Sequence, residues 1–186
     1  MDYTTFTEVI EKNYGKNPMF LKVIKDDNTH HNFTYKLGVN KDMLQFNPSG
    51  SCEAGGLYFS VNEHIIKYLE YGEKIAVIKL AEDAIFYMEQ NGDKFKTNKL
   101  IIENMYTFEE FFTKNQELCK LAVQQNGYAL QYVKDKTEEL CKLAVQQNGL
   151  ALVYIQNQTE KICKLAMQQN FNAVQYVKIK QKNYVN

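Results

Sequence analysis

Hydrophobic and polar positions follow two different rhythms along this chain. From Glu117 onward the pattern repeats every 22 residues: Cys119, Cys141 and Cys163 coincide, as do Leu121, Leu143 and Leu165, then Ala122, Ala144 and Ala166. The glutamine pairs at 124–125, 146–147 and 168–169 fall in the same frame, so the segments Glu117 to Thr137, Glu139 to Thr159 and Lys161 to Gln181 read as tandem units. Within a unit, Leu118, Leu121, Ala122 and Gln125 lie at helical spacing beside an adjoining apolar stripe of Cys119, Ala122 and Val123. A helix apolar on two adjoining faces has a neighbour on each side, which is what an internal repeat requires.

The spacing predicts that the first helix of each unit stops at Asn126-Gly127 and Asn148-Gly149, with glycine in the left-handed conformation. A second, shorter helix is expected from Tyr128 to about Lys134, contributing Leu130 and Val133, which match Leu152 and Ile155, then Val174 and Val177. Thr137 and Thr159, each followed by glutamate, are expected N-caps of the next unit. The third copy departs from the pattern at Phe171 and Asn172, with Asn170 left to make the turn. One period upstream, Tyr106, Phe108 and Phe111 match Tyr128, Leu130 and Val133, which predicts a degenerate first unit with a helix over Thr107 to Thr113. Residues 105–186 are thus expected to form a short α-solenoid of helical hairpins, with units starting near 117, 139 and 161.

Residues 1–104 lack that period. Phe20 to Ile24, Phe33 to Leu37, Leu57 to Ser60, Ile75 to Leu80, Ile85 to Met88 and Leu100 to Ile102 are short apolar or alternating runs expected to be strands. Asn47-Pro48-Ser49-Gly50 and Gly55-Gly56 mark loops, and Asn91-Gly92-Asp93 a hairpin turn. Asn62 is positioned to cap a helix through about Glu70 that Gly72 ends. The expected fold class is α+β with a small sheet, fused to the helical array.

Composition narrows the functional classes. No apolar run approaches the roughly 18–20 residues that span a bilayer, and Met1 to Glu11 lacks the basic and apolar segments of a signal peptide. A cytosolic protein with no membrane partner is expected. All 22 basic residues are lysine, so no guanidinium fork is available for bidentate recognition of phosphate or guanine. The formal net charge is zero. It divides into 13 Lys against 17 Asp and Glu over residues 1–114, and 9 against 5 over residues 115–186, a balance too slight to announce a nucleic-acid partner. Three of the four cysteines occupy one repeat position and read as buried thiols.

Two stretches carry a family resemblance. His30-His31-Asn32-Phe33-Thr34-Tyr35 through Phe46-Asn47-Pro48-Ser49-Gly50-Ser51-Cys52-Glu53 and Gly55-Gly56-Leu57-Tyr58-Phe59-Ser60 resemble the N-terminal domain of giant-virus repeat proteins of the mimivirus type, where it precedes ankyrin or other repeats. Glu-Leu-Cys-Lys-Leu-Ala-Val-Gln-Gln-Asn-Gly, from Glu117 and again from Glu139, resembles a tandem repeat of unknown function from the same viruses. The resemblance implies an uncharacterised modular viral protein acting in the host cytoplasm. Gly56 to Ser60, Tyr68 and the run Ile75 to Leu80 are also similar to the middle of ADP-ribosyltransferase domains. That resemblance implies His30 or His31 on a ribose, Tyr58 or Tyr68 on a nicotinamide, and a site comprising His31, Gly56, Tyr58, Ser60 and Tyr68. It departs from the family where a catalytic glutamate belongs, because Asn98-Lys99-Leu100-Ile101 offers lysine.

Other constellations give no chemistry. His30, His31, Cys52 and His64 lack the ligand spacing of a closed zinc site, and Cys52 with His64 is a pair any protein can present. Glu82-Asp83 reads as solvated charge, and Gly55-Gly56 is not a phosphate loop. No catalytic residue, metal or cofactor is assigned. Lys120, Lys142 and Lys164 recur at one position and Tyr132, Tyr154 and Tyr176 at another, a ladder suited to an extended partner. The primary expectation is a non-catalytic protein–protein interaction module with a viral or host protein as partner. An ADP-ribosyltransferase-like or degenerate nucleotide-binding domain is the first alternative, and an RNA-binding helical-repeat protein the second.

Overall fold

The computed structural model describes residues 1–49 and 53–178, and the described residues divide into two compact units, one from Met1 to Phe108 and one from Glu109 onward. Unit 1 is built on strands β1 (Phe20–Ile24), β4 (Gly38–Lys41), β5 (Leu57–Val61), β6 (Lys74–Leu80), β7 (Phe86–Met88), β8 (Phe95–Thr97) and β9 (Lys99–Thr107), with a separate two-residue hairpin of β2 (Thr29–His30) and β3 (Phe33–Thr34). The seven strands form one sheet in the order β4-β9-β6-β1-β5-β8-β7, and the pairings are antiparallel.

Helix α1 (Tyr3–Tyr14) starts at Asp2, whose carboxylate accepts the Thr5 N–H at 2.8 Å, satisfying one of the orphan donors of the first turn. It buries Phe6 and Ile10 against the sheet, and Phe6 stacks on Phe86 at 4.5 Å and meets Phe59 and Phe95 edge-on. Along β5, Leu57, Phe59 and Val61 join this core, while Tyr58 and Ser60 alternate to the other face. All five β5 residues are buried, which explains why the run reads as continuous rather than alternating. Over Tyr58 and Ser60 lies a 3-10 segment, Ile65–Tyr71.

Unit 2 alternates α-helices with six-residue 3-10 segments. After α2 (Phe108–Lys114) come α3 (Gln116–Gln125), the 3-10 segment Gly127–Tyr132, α4 (Glu138–Gln147), Gly149–Tyr154, α5 (Glu160–Gln169) and Phe171–Tyr176. Thr137 and Thr159 cap α4 and α5 by accepting the N–H of Leu140 and Ile162. Asn126, Asn148 and Asn170 cap the 3-10 segments by accepting the N–H two residues on. Cys119, Cys141 and Cys163 are buried free thiols whose pKa is raised by desolvation.

The structure corrects several expectations. The fold is an α+β arrangement dominated by a seven-stranded antiparallel sheet, not a small sheet fused to an α-solenoid. The second element of each unit is a 3-10 turn rather than an α-helix, because Asn caps it at one end and the chain turns extended at Val133 and Ile155 at the other. Gly127 and Gly149 are not left-handed. A Cβ at Gly127 would collide with the Ala144 carbonyl oxygen, and one at Gly149 with that of Ala166, so glycine is there for close backbone approach. Gly72 is not left-handed either but extended, and the Ile24 carbonyl occupies the space a Cβ would need. Tyr106 and Thr107 end β9, so the helix that follows begins at Phe108. Strand β3 stops at Thr34 rather than Leu37, and the expected helix from Asn62 is the shorter 3-10 segment starting after His64.

Candidate functional site

Two concave surfaces stand out, one in each unit. The first is a cavity of about 70 Å³ on the face of the sheet away from α1. Its floor is apolar, from Leu21, Val23, Phe59 and Ile65, and its walls carry Tyr58, Tyr68, Tyr71, His30 and His31, with Lys22, Lys94 and Ser60 completing the lining.

The placement of each group follows from local structure. Lys22 sits in the middle of the apolar run Phe20–Ile24 and is only 3 % exposed. Its ammonium donates to the Tyr58 carbonyl at 2.8 Å and stands 4.8 Å over the Tyr35 ring. Lys94 lies 5.0 Å over the Tyr58 ring and pairs with Glu89 at 3.4 Å. The β2–β3 hairpin turns at His31-Asn32, with φ of 50° and 61°, the two left-handed residues of a type I′ turn without a glycine. That turn stacks the His31 ring on His30 at 4.2 Å and 20°, and His30 is 6.3 Å from Tyr71. The Ser60 hydroxyl donates to the Asp93 carbonyl at 2.5 Å.

Burial pushes the His30 pKa down to about 3, reinforced by the Lys22 and His31 charges. His31 is lowered as well, by burial and then by Lys22, Lys94 and Lys25. His30 Nδ1 is buried without a hydrogen-bond partner. The cavity therefore holds an imidazole pair whose protonation is disfavoured, beside the Lys22 ammonium and the Lys94–Glu89 ion pair.

Of the residues singled out from sequence, His31, Tyr58, Ser60 and Tyr68 meet around this cavity, and Gly56 does not. The Gly56 N–H donates to Asp42 at 2.6 Å, and the space a side chain would need is filled by Lys96, whose carbons come within 2.7 Å. Lys99, where the ADP-ribosyltransferase pattern places glutamate, begins β9 and pairs with Asp83. Sequence reasoning misses Lys22, Tyr71 and Lys94. Lys22 carries a legible signal, a lone cation inside an apolar strand; Tyr71 and Lys94 reach the cavity only through folding. Cys52 lies outside the described residues, and His64 packs its ring 5.8 Å from Tyr14. Among the described residues no group of three His, Cys, Asp or Glu could hold a metal ion, and no helix is long and apolar enough to cross a membrane.

The second surface is a groove of about 740 Å³ across unit 2. Half-buried Leu143 and Leu165 lie along it with Gln124 and Gln146, and its charges are of both signs: Glu117, Asp135 and Glu139 against Lys120, Lys134, Lys142 and Lys161. The recurring lysines already have partners, since Lys120 pairs with Glu139 at 3.8 Å, Lys142 with Glu138, and Lys164 with Glu160 at 2.8 Å. Lys164 is not part of the groove lining. The recurring tyrosines, Tyr132, Tyr154 and Tyr176, are half-buried.

Comparison of the sequence with known proteins finds two groups of similar proteins. Residues 115–158 match the family model described as "Domain of unknown function (DUF4116)". Three proteins of Acanthamoeba polyphaga mimivirus are similar to the chain, each named "Putative ankyrin repeat protein". R868 is 35% identical over 89 residues, covering 45% of this chain and 44% of its own length. R229 is 27% identical over 118 residues (56% and 38%), and R896 is 34% identical over 100 residues (52% and 30%). No solved structure matches. The chain spans less than half the length of these relatives, and it is similar to giant-virus repeat proteins.

Proposed function

We propose that this chain is a non-catalytic protein–protein interaction module of a giant virus, acting in the host cytoplasm, and that its 22-residue units offer the groove of unit 2 to an extended polypeptide. The observation that carries this reading is the make-up of the groove. Half-buried leucines give an apolar strip, Gln124 and Gln146 offer amide donors and acceptors that match a peptide backbone, and both signs of charge line the same walls. A nucleic-acid surface needs one sign of charge. Here Lys120 and Lys142 are each beside a glutamate, which lowers the potential a phosphate would feel. The relatives' names, ankyrin repeat proteins, agree with a role in protein binding.

The test is affinity capture from infected host cells with the full chain and with a Leu143→Asp, Gln146→Lys variant. A defined viral or host protein should be retained by the first and lost by the second, with both chains equally folded. Equal retention by both would remove the groove from the interaction. Capture that depends on intact RNA and falls steeply with salt would replace this reading with RNA binding.

A further inference from the structure

The chain contains three Asn-Gly pairs, Asn91-Gly92, Asn126-Gly127 and Asn148-Gly149, and their surroundings differ. An asparagine followed by glycine is open to an intramolecular reaction, because no side chain shields the glycine nitrogen. That nitrogen adds to the asparagine Cγ, a new N–C bond closes a five-membered imide, and the Cγ–NH2 bond breaks as ammonia leaves. Water then opens the imide at one carbonyl or the other. The products are aspartate and isoaspartate, the latter with its main chain rerouted through Cβ and Cγ. Both the asparagine amide and the glycine N–H must be free to move. In unit 2 neither is. The Asn126 and Asn148 side-chain oxygens accept the N–H of Tyr128 and Leu150 at 3.0 Å, and the N–H groups of buried Gly127 and Gly149 are held at 2.6 Å by Gln147 and Gln169.

Asn91 is exposed in the turn that joins β7 to β8, and its side chain hydrogen-bonds to none of the described residues. The Gly92 N–H donates to the Glu89 carbonyl at 2.8 Å, a surface turn contact of the kind that opens locally without unfolding the core. We propose that Asn91 is a site of spontaneous deamidation, the one Asn-Gly pair of the three that reacts in the folded chain, and that its isoaspartyl product loosens unit 1. The two residues after it clasp the sheet. The Gly92 carbonyl accepts the Tyr14 hydroxyl from α1, the Asp93 carbonyl accepts the Ser60 hydroxyl from β5 at 2.5 Å, and the Asp93 carboxylate pairs with Lys67 at 3.0 Å. An additional main-chain carbon before Gly92 lengthens the turn and displaces these acceptors. The same reaction at Asn126 or Asn148 requires the cap and the glutamine contact to open first.

Ageing of the full chain at neutral pH and physiological temperature tests this, with peptide mapping that separates the asparagine, aspartate and isoaspartate forms of each site. In the folded chain Asn91 is expected to react at least about tenfold faster than Asn126 or Asn148. In denaturant, where caps and glutamine contacts are gone, the three sites should react within about threefold of one another. Chain carrying isoaspartate at position 91 should melt at a lower temperature than the Asn91→Asp variant, which has the same charge on an unaltered backbone. No reaction at Asn91 in the folded chain, folded-state rates that are equal at the three sites, or an isoaspartyl form as stable as Asn91→Asp would each overturn the proposal.

Discussion

Gln147 reaches back across one period to Gly127: its side-chain oxygen accepts the Gly127 N–H at 2.6 Å, while its amide nitrogen donates to the Gln125 carbonyl at 3.2 Å. Gln169 repeats both contacts, to Gly149 at 2.6 Å and to Gln147 at 3.4 Å. One side chain per unit thus satisfies two backbone groups at the end of the preceding helix, where intrahelical partners run out. The same junction fixes the glycines, because the backbone of the next helix leaves no space for a Cβ.

Gly127→Ala and Gly149→Ala should each destabilise unit 2 by roughly 2 kcal/mol or more, since the obstacle is a backbone carbonyl that cannot rotate away. Phe171 occupies the equivalent position in the third unit, is 76% exposed, and should tolerate alanine within about 0.5 kcal/mol. Denaturant midpoints of the three variants decide it. Equal effects at all three positions would show that close helix approach is not what selects glycine.

The paired glutamines should separate by function. Gln147→Ala leaves the buried Gly127 N–H unsatisfied and should cost about 1–2 kcal/mol of stability. Gln146, exposed in the groove, should cost under about 0.5 kcal/mol when replaced by alanine, while reducing partner retention. Thermal melts alongside capture from infected cells measure both.

His30 makes unit 1 sensitive to acid. Its folded pKa, about 3, lies below the ordinary 6.5, so the unfolded chain takes up the proton first as pH falls. Its stabilising contribution is fully present above about pH 6.5 and is lost progressively between there and pH 3. Allowing for solvent screening of a half-buried ring, the loss is on the order of 1–2 kcal/mol. The stability difference between the natural chain and His30→Phe should therefore shift in favour of the variant from about pH 7.5 to about pH 4.5. A difference that does not change with pH would refute it.

Cys119, Cys141 and Cys163 should resist alkylation in the folded chain, because burial both shields the sulfur and raises the thiol pKa. Peptide mapping after iodoacetamide treatment, with and without denaturant, should show labelling at these three positions only on unfolding.

Much of unit 2 is readable locally. The N-caps Thr137 and Thr159 and the buried Cys-Ala-Val stripe each declare themselves through residue type and spacing, because caps and helix faces depend on contacts within a few residues. Unit 1 is harder. Helix α1 carries Phe6, Ile10 and Tyr14 four residues apart behind Asp2, a pattern that its many polar and β-branched residues obscure. Strands β4 and β8 are four and three residues long and offer too few positions to show a period.

The candidate cavity is legible only in part. His31, Tyr58, Ser60 and Tyr68 belong to one loop, one strand and one helical turn already marked by the residue pattern, whereas Lys22 comes from β1 and Lys94 from just before β8. Antiparallel pairing of β1 with β5 and of β5 with β8 brings these cations to the same place. Residue types and their spacing by themselves determined the N-caps Thr137 and Thr159 and most of the apolar runs, since these depend on nearest neighbours along the chain. Tertiary structure alone decided the seven-strand order, the reason for glycine at 127 and 149, and the meeting of Lys22 and Lys94 beside Tyr58. Each of those depends on atoms that are distant in sequence and become neighbours only when the backbone packs.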